Sequence, residues 1–251
     1  MYRGEAINGS ANGSVTKHLP SESDLDFYPG GDDQPMAETP IHVEAIVLLH
    51  QALQDFFRDQ PDIFVASDIF WYFKEGKRDK TSRISPDVMV VPGVERRELY
   101  ERRSFFSWIE NKVPVAVFEM ASRNTWKKDL GLKKDTYEKL GVKEYYLFDP
   151  EFRYLDAPLI AFKLRGKKFR RVSLREPLIS ELGFRLRVER WMIRLIDDAT
   201  GEPVPTRAEA AAKSQAEAER MGLLASAEMR RAEILEAEVK RLRAELGRSG
   251  P

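Results

Sequence analysis

Val113-Pro114-Val115-Ala116-Val117-Phe118-Glu119-Met120 is a nearly continuous apolar run interrupted by one carboxylate. Such a run reads as a strand buried on both faces, the pattern of a central strand in an α/β sheet. After it, Leu130, Leu132, Tyr137 and Leu140 are available to pack and Gly141 supplies a C-cap, so a helix is expected from about Lys128 to Leu140. Glu144 to Phe148 is the next strand, stopped by Asp149-Pro150. Before the run, Asp87 to Val91 is a short strand ended by Pro92-Gly93. Ile63 to Phe73, aromatic and β-branched, reads as one strand, and Lys74 to Ser82 as a polar turn. Residues 95–112 are charged and irregular, a loop or a short helix. Further upstream, Ile41, Ala45, Leu49, Leu53, Phe56 and Phe57 recur at helical spacing, with Thr39-Pro40 as the helix start. Strand-like stretches at 158–165, 168–174 and 184–196 read as hairpins flanking the main sheet. The body is mixed α/β.

The chain has 251 residues, 41 basic and 41 acidic groups, and no cysteine. The missing cysteines exclude a disulfide framework, a thiolate zinc site and a cysteine nucleophile together. No run approaches the ~18 apolar residues of a membrane helix, and the first twenty residues have no apolar signal-peptide core. A soluble cytoplasmic protein with no membrane partner is expected. Neutrality is a cancellation: residues 1–38 carry 2 basic and 7 acidic groups, residues 39–206 carry 30 and 26, and residues 207–251 carry 9 and 8. Residues 1–35, rich in Gly, Asn, Ser, Asp and Pro, read as a flexible acidic leader. Residues 36–200 form the folded domain. Residues 206–247, rich in Ala, Glu and Arg, read as a C-terminal helix. Leu235, Val239, Leu242 and Leu246 follow heptad spacing, but Glu228 interrupts that register upstream. A coiled coil joining two copies and a solvated helical tail are both open.

Three residues stand out for chemistry. Asp87 opens a buried strand, Glu119 lies at the C-terminal end of another, where α/β sheets commonly place ligands, and Lys133 lies on the following helix with Tyr137 one turn on. Each also has a structural reading: a turn or capping Asp, an ion-pair partner, a solvated lysine. Taken together, two carboxylates at neighbouring strand ends suit a divalent cation with hard oxygen ligands. A nearby lysine can stabilise charge developing on a phosphate. That is the composition of a metal-dependent phosphodiesterase site. His18, His42 and His50 lack metal-ligand spacing, and neither a Walker A nor a GxGxxG motif occurs.

Ser85-Pro86-Asp87-Val88, Phe118-Glu119-Met120-Ala121-Ser122-Arg123-Asn124-Thr125, Asp129-Leu130-Gly131-Leu132-Lys133, Tyr137, Leu140 to Tyr145 and Phe148-Asp149-Pro150 occur in that order. Over roughly residues 28–195 the chain resembles the Uma-two family of restriction endonucleases, similar in fold to PD-(D/E)XK nucleases. The resemblance implies a restriction-endonuclease-like core (helix, three strands, helix, strand), to which the residues themselves add extra β-hairpins and a C-terminal coiled-coil-like helix. It implies a Mg²⁺- or Mn²⁺-dependent endonuclease acting on DNA, with Asp87 and Glu119 as metal ligands; a homodimer aided by the C-terminal helix is expected as the working form. The superfamily lysine, two residues after the second acid, is Ala121 here; Lys133 is the matching residue on the next helix. Auxiliary candidates are Ser122, placed in the family's Ser-x-Ser/Thr-Thr loop to touch a metal-bound water or phosphate, Tyr137, and Glu44 on the first helix. The basic stretches Lys127-Lys128, Lys133-Lys134 and Lys163 to Arg171 would meet phosphates. The alternative is a catalytically inactive nucleic-acid-binding or oligomerising module on the same fold.

Overall fold

Alternation along one strand decides how the layers stack. In β6 (Ala116–Met120) all five residues are buried. Ala116, Phe118 and Met120 belong to one hydrophobic core, and Val117 belongs to a second on the opposite side of the sheet. Successive side chains point to opposite faces, so Glu119 shares the face of Val117. The computed structural model describes residues 39–76, 81–95, 103–172 and 178–248. The leader expected over 1–35 lies outside them.

The main sheet has six strands in the order β1 (Ile63–Ser67), β4 (Val88–Pro92), β6, β7 (Glu144–Phe148), β8 (Leu159–Arg165), β9 (Lys168–Arg171). All neighbours are antiparallel except β6 and β7. A parallel pair needs a crossover, and the helical segment between them supplies it. That segment is not the single α-helix expected. It runs α3 (Trp126–Lys128), a π-helical turn (Asp129–Lys133) and α4 (Lys134–Leu140), ended by Gly141 at φ 86°.

Helix α1 (Pro40–Phe56) begins with Pro in its first turn and buries Ala45, Leu49 and Leu53. They pack with Val88, Val90, Phe118 and Phe148 on one sheet face. On the other face, Tyr137 of α4 packs with Val91, Val117, Tyr145 and Leu147. The core order helix, three strands, helix, strand is the restriction-endonuclease-like arrangement expected.

Three further expectations differ. The strand expected over 63–73 is two, β1 and β2 (Phe70–Tyr72), in different sheets. They part at Asp68, φ 50°, a left-handed conformation that a short polar residue tolerates. The Asp68 N–H points to the carbonyls of Pro86 and Asp87, both at 3.3 Å, tying this corner to the turn that carries Asp87. Second, residues 95–112 include a strand, β5 (Ser104–Phe106), and a one-turn helix, α2 (Ser107–Glu110). β5 joins β2 and β3 (Arg83–Ile84) in a three-stranded sheet. Third, β8 and β9 extend the main sheet itself, whereas β10 (Leu178–Ile179), β11 (Phe184–Glu189) and β12 (Met192–Asp197) form a separate sheet. Phe184, Leu186, Ile193 and Leu195 of that sheet complete the core beneath α1.

The chain divides into two units, residues 1–204 and 205–251. The second contains α5 (Arg207–Arg248), 42 residues long. No helix among the described residues is long and apolar enough to cross a membrane.

Glu144, at the start of β7, is fully buried. Its carboxylate accepts hydrogen bonds from the Tyr146 hydroxyl (2.9 Å), the Ser180 hydroxyl and the Glu181 N–H (2.8 Å), and pairs with Lys163 at 3.1 Å. It therefore pins the segment leading into β11 against the main sheet. Removing one partner of a buried ionic network strands the others. Glu144→Ala is expected to cost about 3–5 kcal/mol in urea denaturation; a loss below about 1 kcal/mol, the value of an exposed pair, would contradict this role.

Candidate active site

Asp87 and Glu119 meet because of strand register. Val88 pairs with Phe118 across the antiparallel β4–β6 ladder. One step further out, Asp87 lies opposite Glu119, and opposed residues share a sheet face. An Asp87 carboxylate oxygen accepts the Met120 N–H at 2.6 Å, which locks the two strand ends together. Asp87 is half-buried; Glu119 is 1% exposed.

The crossover helix covers this end of the sheet and delivers three side chains one turn apart: Asp129, Lys133 and Tyr137. The Lys133 ammonium donates to Glu119 Oε2 at 2.7 Å and to the Ser85 carbonyl at 3.1 Å, and stands 3.7 Å from Asp129 Oδ1. The Tyr137 hydroxyl donates to Glu119 Oε1 at 2.5 Å. Tyr137 is in turn stacked on Trp71, with centroids 6.1 Å apart and planes within 3°, and the Trp71 indole N–H donates to the Ser107 hydroxyl at 2.7 Å. Glu119 is thus held at both oxygens by donors on the same helix.

The π turn spans the segment from Asp129 to Lys133. Such wide turns disturb the helical hydrogen-bond ladder and occur often at functional sites. Here the Tyr145 hydroxyl, from β7, donates to the Asp129 carbonyl at 3.0 Å. Side-chain support from the sheet therefore reaches the backbone of the widened turn.

Three carboxylates, Asp87, Glu119 and Asp129, surround the one ammonium of Lys133. Burial pushes the Glu119 carboxyl well above its ordinary range; Lys133 pulls it down, and Asp87 and Asp129 push it up further. Asp129 is raised from 3.8 to about 6, again first by burial, with Lys133 and Thr125 pulling the other way. Both Asp129 oxygens are buried without a hydrogen bond of normal geometry. Burial works against the charge on Lys133, but Glu119, Asp87 and Asp129 outweigh it and hold the ammonium above the usual lysine range.

The excess of carboxylate over ammonium, with both Asp129 oxygens buried and short of a hydrogen bond of normal geometry, fits a hard divalent cation. Among the described residues no three His, Asp or Glu side chains form a ready metal cage. Mg²⁺ does not require one, since it keeps several waters and uses one or two carboxylates.

The structure brings Asp87, Glu119, Lys133 and Tyr137 together and adds Asp129, which sequence reasoning passed over. Its four-residue spacing before Lys133 was the available signal. Ala121, at the position of the superfamily lysine, is 1% exposed and packed in the core beside Val117 and Tyr137. Ser122 is buried, and its hydroxyl pairs with the Thr125 hydroxyl at 3.0 Å while its carbonyl accepts the Thr125 and Trp126 N–H groups. It shapes the turn into α3. Glu44 is exposed on α1, the helix covering the opposite sheet face, so it does not join the cluster.

Of the basic stretches, Lys163 pairs with Glu144, Lys168 with Glu138 and Arg171 with Asp156. Lys127 and Lys128 are exposed on α3, the helical turn just before Asp129. Asp149 accepts four backbone N–H groups, from Glu151, Arg153, Tyr154 and Leu155, and organises the loop after β7.

The sequence matches the model of the Uma2 family, described as "Putative restriction endonuclease", over residues 19–186. That span contains Asp87, Glu119, Asp129, Lys133 and Tyr137. A solved structure titled as a putative nuclease belonging to DUF820, from Anabaena variabilis, is similar at 14% sequence identity. The likeness covers 57% of this chain and 72% of that one, with a TM-score of 0.40. No curated protein matches the chain.

Because the Asp129 pKa is higher folded than unfolded, the folded state holds the proton more tightly. Metal-free stability therefore falls as pH rises from 3.8 to about 6. Asp129→Asn removes that charge and is expected to raise metal-free stability at pH 7 by on the order of 3 kcal/mol. It should also flatten the pH dependence across that window, read by thermal unfolding in chelator. A destabilised variant with unchanged pH dependence would contradict the electrostatic account.

Proposed function

The chain belongs to the Uma2 family, and from that premise we propose that it is a divalent-metal-dependent endonuclease hydrolysing DNA phosphodiester bonds. The observation that carries the reading is the crowding of Asp87, Glu119 and Asp129 around the single ammonium of Lys133. Asp87 and Glu119 would hold Mg²⁺ or Mn²⁺, with Asp129 beside them. When bound, the ion supplies Lewis-acid polarisation of the phosphate and a water of lowered pKa.

The chain's own groups do the rest. Asp87, tied to the Met120 N–H, keeps one carboxylate fixed at the strand end. Glu119 is aimed by Tyr137 and Lys133. Lys133, kept as an ammonium by its three carboxylate neighbours, contributes fixed positive charge to oppose the charge growing on the phosphate. Lys127 and Lys128 supply backbone contacts that position the duplex without reading its sequence. The reading includes action in the cytoplasm and a second copy of the chain as partner.

A second reading, a module that grips nucleic acid without turnover, draws on one observation. Both Glu119 oxygens are already bonded by protein donors, Lys133 and Tyr137. It predicts salt-sensitive DNA binding indifferent to metal and to Glu119→Gln.

The test is cleavage of supercoiled plasmid, single-stranded DNA and RNA by the purified full chain in Mg²⁺, Mn²⁺ or chelator. Metal-dependent nicking is expected, with Asp87→Ala and Glu119→Gln slower by about 100-fold or more and Lys133→Ala comparably impaired. An Asp87→Ala protein that cuts as fast as wild type, or cleavage undiminished in chelator, sinks the proposal.

A further inference from the structure

Helix α5 presents every described residue from 207 to 245 to solvent, including Met221, Leu235, Val239 and Leu242. An apolar stripe of that length needs a partner to bury it. The heptad frame set by Leu235, Val239, Leu242 and Leu246 extends further back than those four residues. Stepping by sevens, one seam position reads Ala211, Ala218, Ala225, Ala232, Val239 and Leu246. The other reads Ser214, Met221, Glu228, Leu235 and Leu242. Only Ser214 and Glu228 are polar. A β-branched residue at the first position with Leu at the second favours two strands, which Val239 with Leu235 and Leu242 supplies near the C-terminal end. Leu223 and Ile234 fall outside the stripe.

The flanking positions select the polarity of the pair. In a parallel, in-register dimer each residue just before the first seam position meets the residue five places later on the other helix. Arg231 then meets Glu236, Glu238 meets Arg243, and Leu224 meets Met229, each twice by symmetry. Antiparallel registers do worse. The one that sets Arg231 against Glu238 leaves Glu236 and Arg243 opposite Met229 and Gly222. The one that pairs Glu236 with Arg243 sets Glu238 against Glu245 and overlaps little more than the last two turns on either side of its centre. Only the parallel register pairs all four charges.

We propose that α5 is a parallel, in-register, two-stranded coiled coil whose partner is a second copy of this chain. It rests on the pairing in the functional reading above and on none of its chemistry. Glu228 is the cost of this seam, since its two copies face each other there.

Because the chain has no cysteine, a single introduced one reports on geometry directly. Oxidised Leu242→Cys, a seam position, is expected to run as a covalent dimer, and Lys240→Cys, on the outer surface, as a monomer. In the antiparallel register that sets Arg231 against Glu238 the two 242 positions lie roughly 25 Å apart and give no cross-link. The register that pairs Glu236 with Arg243 brings them close but sets the two 235 positions roughly 16 Å apart. Only the parallel pair therefore cross-links through both Leu242→Cys and Leu235→Cys. Since cysteine at the seam can itself loosen the coil, light scattering of the unmodified chain is the companion measurement. Glu238→Arg should weaken the dimer by about tenfold, and adding Arg243→Glu should restore it. Glu228→Leu should tighten it. A monomeric wild-type chain at tens of micromolar, cross-linking at 240 as readily as at 242, or a charge reversal without effect overturns the proposal. A monomer that still cleaves DNA removes the coil and leaves the nuclease reading standing; a cross-linked dimer that cuts nothing does the reverse.

Discussion

One lysine is shared by three carboxylates, and the arrangement around it explains why the rest of the site is built as it is. Lys133 neutralises part of the charge that Asp87, Glu119 and Asp129 bring under the crossover helix. The remainder has nowhere to go in a site where burial raises both Glu119 and Asp129. Without a cation such a cluster is held together against its own electrostatics, at a cost of several kcal/mol for ions of this burial. Functional sites are where proteins tolerate that cost.

The scaffold answers it with rigidity rather than compensation. Tyr137 fixes one oxygen of Glu119, Trp71 stacks on Tyr137, and Ser107 anchors Trp71. This chain of contacts runs from the small three-stranded sheet to the carboxylate. On the other side, the Tyr145 hydroxyl holds the backbone of the π turn from which Asp129 and Lys133 project. The parallel β6–β7 pair is therefore more than topology. It requires the crossover helix, and the crossover helix is what closes the site.

Much of this was legible in the residue order. The apolar run ending at Met120 identified a central strand, and its parity put Glu119 on a definite face. The four-residue step from Lys133 to Tyr137 placed both on the side of the helix that faces the sheet. The same step, taken backwards, reaches Asp129; it was overlooked because an Asp early in a helix usually serves its N-terminus. Other features left no trace. The π turn has no signature of its own in Asp129-Leu130-Gly131-Leu132-Lys133, since the apolar spacing suits an ordinary helix equally well. The break at Asp68 is hidden because Ile63 to Ser67 and Phe70 to Tyr72 are both strand-forming, and only tertiary contact assigns them to different sheets. In the basic stretch from Lys163 to Arg171, Lys163, Lys168 and Arg171 pair with carboxylates, which the residue order does not announce. Charge counts cannot distinguish a cation waiting for phosphate from one already paired.

The central claim is that the carboxylates around Lys133 form a divalent-cation site, and calorimetric titration of the full chain with Mn²⁺ tests it most directly. The account predicts saturable binding in the wild-type protein, lost or strongly weakened in Asp87→Asn and Glu119→Gln, with the Mn²⁺-bound protein melting higher than the metal-free one. No saturable binding at millimolar Mn²⁺, or equal binding by the wild type and both variants, would contradict it.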